Sequence, residues 1–139
     1  MAYWLFKSEP DVWSWDQQAA KGAAGEEWHG IRNYQARNNM RAMQVGDLGF
    51  FYHSNIGKEV VGIVEVAATS HPDSTTDDPR WDCVDIRAVR PLARHVTLDH
   101  CKVEPGLENM VLVNNTRLSV QPVTEAEWRI VCRMGGVEP

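Results

Sequence analysis

Two apolar runs joined by a four-residue turn constrain this chain more than any other feature. Leu48 to Ser54 reads as a strand, Asn55-Ile56-Gly57-Lys58 as a hairpin turn, and Val60 to Ala67 as a β-branched returning strand that is expected to be buried. Three further segments read as strands. Tyr3 to Phe6 is aromatic-rich and buried. Trp81 to Val89 sets Val84, Ile86 and Ala88 against Asp85 and Arg87, as in a half-buried strand that Pro91 ends. Leu118 to Val120 is a last, short strand.

Helical signals fall around these strands. Ser8-Glu9-Pro10-Asp11 opens a helix that runs to Gly22, with proline in the first turn and acids near the positive end. Ala23 to Gly30 is a loop that delivers Trp28. Asn33 caps a helix through Met43, where Tyr34, Ala36, Met40 and Met43 recur at helical spacing. Thr97-Leu98-Asp99 starts a short helix, while Leu107 to Val113 is ambiguous. Thr124-Glu125-Ala126-Glu127 is a capping box for a terminal helix that Gly135-Gly136 stops. Ser70 to Arg80 is a polar loop, expected to be the mobile segment and a candidate to close over a ligand. About five strands with helices at the edges predict an α+β or small mixed-barrel fold. The length of 139 residues predicts one domain over 1–139.

Charge narrows the function. The formal net charge of −5 argues against a broad basic face gripping duplex phosphates. It leaves room for a local basic rim. Arg32, Arg37 and Arg41 are close in sequence, and Lys7, Lys58 and Arg117 are candidates to join them in space. The three cysteines are widely spaced without a CxxC pair, so reduced thiols are expected rather than disulfides or zinc. The N-terminus lacks the pattern of a signal peptide and no apolar run approaches a membrane span, so a cytoplasmic protein with no membrane partner is expected.

The chemistry-bearing residues point to recognition. From Trp28 to Asn39 the chain places an indole, guanidinium groups, a phenol and side-chain amides around Gly30, groups that stack on flat rings and read hydrogen-bond edges. Phe50 to Asn55 has the same character, and Arg117 to Pro122 is its polar complement. Trp4, Trp13 and Trp128 sit in apolar elements and are expected in the core. Trp28 has polar neighbours and is expected as a stacking surface, so that Trp28→Ala abolishes binding without unfolding the domain. Trp15 and Trp81 fit either role. Asn33, Asn38 and Asn39 also fit plain helix positions, and Arg37 with Arg41 a solvated face. His53 and Ser54 are adjacent on a strand and point to opposite faces, so they do not form a nucleophile–base pair. No GxSxG elbow, phosphate-binding glycine loop or metal-ligand spacing is present. No enzyme, metal or cofactor is expected.

Tyr3-Trp4-Leu5-Phe6-Lys7-Ser8-Glu9-Pro10, Trp28 through Asn39, Val45-Gly46-Asp47, Phe51-Tyr52-His53-Ser54-Asn55 and Arg117-Leu118-Ser119-Val120-Gln121-Pro122 together resemble the EVE domain family. The resemblance implies a PUA-like α+β fold, a small mixed β-barrel of about five to six strands flanked by helices and similar to YTH domains. It implies a non-enzymatic module that reads a modified base in DNA or RNA, with any effector on a separate protein. Carried over by motif, the base pocket would take Lys7, Ser8, Trp28, Arg32, Asn33, Tyr34, His53, Ser54, Asn55, Ser119 and Gln121. Arg37, Arg41, Lys58 and Arg117 would contact phosphate. The favoured ligand is a flipped modified pyrimidine in DNA. The alternatives are a free nucleotide or other small molecule in the same pocket, and modified RNA.

Overall fold

The computed structural model describes residues 1–115 and 117–139. Its framework is a mixed sheet of six strands: β1 (Tyr3–Ser8), β2 (Glu26–Glu27), β3 (Leu48–His53), β4 (Glu59–Pro72), β5 (Asp82–Thr97) and β6 (Val120–Val123), in the order β2-β5-β4-β3-β1-β6. Among the described residues only β1 and β3 pair in parallel, with Leu5 opposite Phe50. The chain between them carries α1 (Trp15–Ala20), a 3-10 turn at Gly22–Ala24, β2 and α2 (Tyr34–Ala42). The α+β class is as expected. The barrel is not closed, because β2 and β6 end the strand order without pairing with each other.

Both faces of the sheet are buried, which is why the central strands read as unbroken apolar runs. Alternation sends Leu5, Phe50 and Tyr52 into one core, with Ile63, Leu92 and Trp128. It sends Trp4, Phe6 and Phe51 into the other, with Trp28, Val64 and Ile86. Three C-terminal helices, α3 (Leu98–Val103), α4 (Val111–Asn114) and α5 (Glu125–Met134), supply residues to the first core. Helix α2 supplies Ala36 and Met40 to the second. Thr97, Asn33 and Thr124 cap α3, α2 and α5 as their sequences predict.

Four expectations change. Residues 10–13 do not form helix. Ser14 caps α1 through a capping box with Gln17, which starts the helix at Trp15 and leaves Trp13 in the preceding turn. The segment delivering Trp28 is an edge strand: Glu26 and Glu27 pair with Ile86 and Asp85, and the Trp28 N–H donates to the Val84 carbonyl at 2.8 Å. Gly25 enters this strand at φ +71, where an added Cβ would stand 2.7 Å from the Ile86 carbonyl oxygen. Pro91 does not end β5. It lies opposite Gly62 amid register irregularities that accommodate its missing N–H. Finally, β4 runs to Pro72, and the loop beyond is knit around the buried Asp73 carboxylate. That group accepts from the Gly30 N–H at 2.8 Å, the Thr75 N–H at 2.7 Å and Arg32 Nη1 at 3.1 Å.

Candidate nucleic-acid interface

Two adjoining recesses open where β1, β2 and β3 end. The first is a cavity of about 380 Å³ lined by Lys7, Ser8, Glu9, Val12, Trp13, Glu26, Glu27, Trp28, His29 and Ile31. Two indoles contribute to its wall. Trp28 is only 7% exposed and stands edge-on to Phe6 and Phe51, with ring centroids 5.6 and 5.8 Å away. Trp13 is half-buried, its Nε1–H donating to Gln18 Oε1 at 2.9 Å. The Ser8 hydroxyl donates to the Trp13 carbonyl at 2.5 Å, tying the end of β1 to the turn. Glu9, Glu26 and Glu27 also line it; Glu26 pairs with Lys21 at 3.3 Å, and Glu27 accepts from the Ser74 hydroxyl at 2.6 Å.

The second recess is a groove of about 590 Å³ lined by Lys7, Glu9, Tyr52, Ser54, Asn55, Lys58, Leu98, Lys102, Arg117 and Ser119. Lys7 and Glu9 belong to both. Burial lowers the Lys7 pKa, and its ammonium lies 5.8 Å from the centre of the Tyr52 ring. Burial first, and then nearby Cys101, Asp99 and Glu59, push the Tyr52 phenol up to about 12. Lys58, Lys102 and Arg117 form no ion pair among the described residues and are exposed. An acidic protein therefore gathers Lys7, Lys58, Lys102 and Arg117 along one groove, with Glu9 beside them.

The residues named from the sequence divide among four places. Lys7, Ser8 and Trp28 line the cavity, and Lys7, Ser54, Asn55, Lys58, Arg117 and Ser119 line the groove. His53 does neither. Its Nε2 accepts the Trp15 N–H at 3.1 Å, and desolvation, partly opposed by Glu59, lowers its pKa. Gln121 is fully buried, and its amide donates to the Leu118 carbonyl at 2.7 Å. Both side chains hold backbone groups of the framework, and the Gln121 carboxamide oxygen is buried without a hydrogen-bond partner among the described residues.

The Arg32–Arg41 segment forms a separate surface against the 72–82 loop. Arg32 is held by Asp73, and its guanidinium sits 5.6 Å from the centre of the Trp81 ring. The Asn33 carboxamide oxygen accepts the Ala36 N–H at 2.9 Å as the helix cap. Tyr34 stacks on Trp81 at 5.0 Å, and Arg37 lies over Tyr34 while donating to the Arg80 carbonyl. Arg41 pairs with Asp82. Engaged by Asp73, the Arg80 carbonyl and Asp82, these arginines line neither the cavity nor the groove.

Sequence reasoning missed Trp13, Glu9 and Lys102. The signal for Trp13 was present: Ser14-Trp15-Asp16-Gln17 is a capping box, and reading it as one moves Trp13 out of the helix. Lys102 had no comparable signal, since only the fold of α3 against the sheet brings it to the groove.

A family model for the EVE domain matches residues 2–134. The chain belongs to the EVE domain family. An Agrobacterium tumefaciens protein of solved structure is 65% identical, with a TM-score of 0.97 over 99% of this chain and 94% of that one. Human THYN1 protein, solved in complex with 5-methylcytosine-containing DNA, is 33% identical with a TM-score of 0.91, and each chain is covered in full. The YTH domain of the Zygosaccharomyces rouxii MRB1 protein, solved with N6-methyladenosine RNA, superposes at a TM-score of 0.59 over 99% of this chain and 88% of that one. At 14% identity that likeness concerns the fold.

Proposed function

We propose that this chain is a non-catalytic reader of a modified base, which it takes into the Trp13–Trp28 cavity while the flanking backbone lies in the Lys58–Lys102–Arg117 groove. The observation that carries the reading is that an aromatic cavity and a basic groove share Lys7 and Glu9. A flipped base and its own phosphates are separated by one sugar, so a reader needs these two surfaces side by side. The complex of the human relative with 5-methylcytosine DNA supports a methylated pyrimidine in DNA as the ligand class.

The chemistry of the cavity favours a base that offers an amine. Glu9 and Glu26 can accept from the exocyclic N4 amine of cytosine, while the Lys7 ammonium donates. Thymine presents a carbonyl where cytosine presents that amine, and carboxylates there would repel it. Extrusion costs a few kcal/mol, and stacking on an aromatic ring returns roughly 1–3 kcal/mol per base. A buried methyl adds about 0.8 kcal/mol, enough for a several-fold preference.

The test is fluorescence anisotropy with 5-methylcytosine DNA, unmodified DNA, matching RNA and free 5-methyldeoxycytidine. The reading expects a several-fold preference for the methylated DNA and a loss of affinity as salt rises. Equal binding of the free nucleoside at all salt concentrations would point to small-molecule sensing, and a preference for RNA would move the substrate class to contacts with the 2′-hydroxyl.

A further inference from the structure

The sheet register assembles a set of metal-ligand side chains that neighbour one another nowhere in the sequence. Cys83 and Asp85 alternate on one face of β5. His71 on β4 lies directly opposite Cys83, and Glu27 on β2 directly opposite Asp85. One ligand atom each from Glu27, His71 and Cys83 falls within 4.8 Å of the others. His71 Nδ1 is 3.9 Å from Cys83 Sγ, while His71 Nε2 is 2.8 Å from Asp85 Oδ1.

We propose that Glu27, His71 and Cys83 form a binding site for a borderline divalent metal ion of the Zn²⁺ class, with Asp85 orienting the imidazole from behind. The donor set is one thiolate sulfur, one imidazole nitrogen and one carboxylate oxygen, which suits zinc and leaves a fourth position for water or another ligand. A carboxylate on the far nitrogen of a ligating histidine is the usual outer-shell partner, because it fixes the tautomer that presents the lone pair to the metal. Asp85 stands in that position. The sulfur–nitrogen distance is within a few tenths of an ångström of the edge of a tetrahedral zinc site, given bond lengths of about 2.3 and 2.0 Å.

Charge favours the ion. Glu27 and Asp85 are paired across the strands, and a cation bound at Glu27 offsets the like charge of that pair. Burial first, and then Glu27, Asp73 and Asp85, hold the Cys83 thiol protonated. Binding of one divalent ion displaces that proton to solvent and leaves a metal–thiolate bond. The ion would also draw Glu27 from Ser74, whose hydroxyl now donates to it at 2.6 Å. The rival occupant of the site is a second proton on His71, shared with the Pro72 carbonyl at 3.2 Å.

The experiment is titration of the reduced full chain with Co²⁺, followed by absorption spectroscopy. A thiolate-to-cobalt charge-transfer band should saturate at one equivalent and vanish on addition of Zn²⁺. It should be lost in Cys83→Ser. Because Cys83 is fully buried, its replacement also tests folding, so His71→Ala is the deciding variant: folded by circular dichroism, it should also lose the band. Asp85→Asn should weaken Co²⁺ binding by about 10–100-fold. No charge-transfer band at saturating Co²⁺, or an undiminished band in folded His71→Ala, would overturn the site and leave the imidazolium as its occupant. The titration contains no nucleic acid, so its failure leaves the base-reading proposal intact.

Discussion

Trp28 packs edge-on against Phe6 at an interplanar angle of 76°, so the cavity wall and the second core are one aromatic cluster. The expectation that Trp28 is a detachable stacking surface does not survive this packing. Replacing a buried tryptophan by alanine costs about 3–5 kcal/mol. Trp28→Ala should therefore lower the melting temperature sharply. Trp13 is the better probe of recognition, because it is half-buried in a turn. Trp13→Ala should weaken binding of methylated DNA by about tenfold or more, equivalent to the roughly 1–3 kcal/mol of one stacked base, with a much smaller thermal shift. Anisotropy and calorimetry on both variants decide this. Undiminished affinity in Trp13→Ala would remove that ring from the ligand.

Binding should lose affinity with salt through the groove and not through α2. Neutralising Lys58, Lys102 or Arg117 should each reduce the slope of log K against log salt by about 0.7–0.9 per phosphate contact removed. Arg41→Ala should leave the slope unchanged, because Asp82 already engages that guanidinium. A slope that responds to Arg41 and ignores Lys58 would place the phosphates on the opposite surface.

Local signals made much of the fold legible. The Asn33, Thr97 and Thr124 caps, the 55–58 turn and the apolar runs all concern neighbours in sequence, and each is found where its residues predict. What was not legible depends on long-range register. The motif Arg32-Asn33-Tyr34 is strong as a family signature, yet its side chains serve the loop, with Arg32 on Asp73 and Tyr34 on Trp81. The pairing of His71 with Cys83 is likewise set by the β4–β5 ladder and its irregularities, which no spacing rule captures. The candidate site was half legible: the strand ends at Lys7-Ser8 and Ser54-Asn55 came from motif, while Lys102 came from the packing of a distant helix.

Gly62 is a packing glycine. A Cβ there would lie 2.5 Å from the Trp15 ring, which packs against Phe51 at 5.5 Å. Neither ring can retreat without disturbing the second core. Gly62→Ala should destabilise the protein by about 1–3 kcal/mol, the usual cost of overpacking. Urea denaturation measures it, and a shift of the midpoint at constant slope is the expected signature. A neutral result would mean that Trp15 moves freely.

Asp73 should control the acid stability of the 72–82 loop. Burial would raise its pKa, but hydrogen bonds from Thr75, from the Gly30 N–H and from Arg32 outweigh that and hold it well below the usual carboxylate range. A folded-state pKa below the unfolded value of about 3.9 means that the unfolded chain binds the proton first as pH falls. The stabilisation is thus fully present above about pH 4 and is lost as pH drops toward the folded value. Asp73→Asn should cost about 1.5–3 kcal/mol at neutral pH, the range for hydrogen bonds to a charged group. The gap between wild type and variant should stay constant from pH 7 to about pH 5 and close only below about pH 4. Because the Gly30 N–H and Arg32 lie on the stretch that links Trp28 to α2, the variant should also weaken DNA binding at neutral pH. A stability gap that closed near pH 6 instead would assign the effect to a histidine.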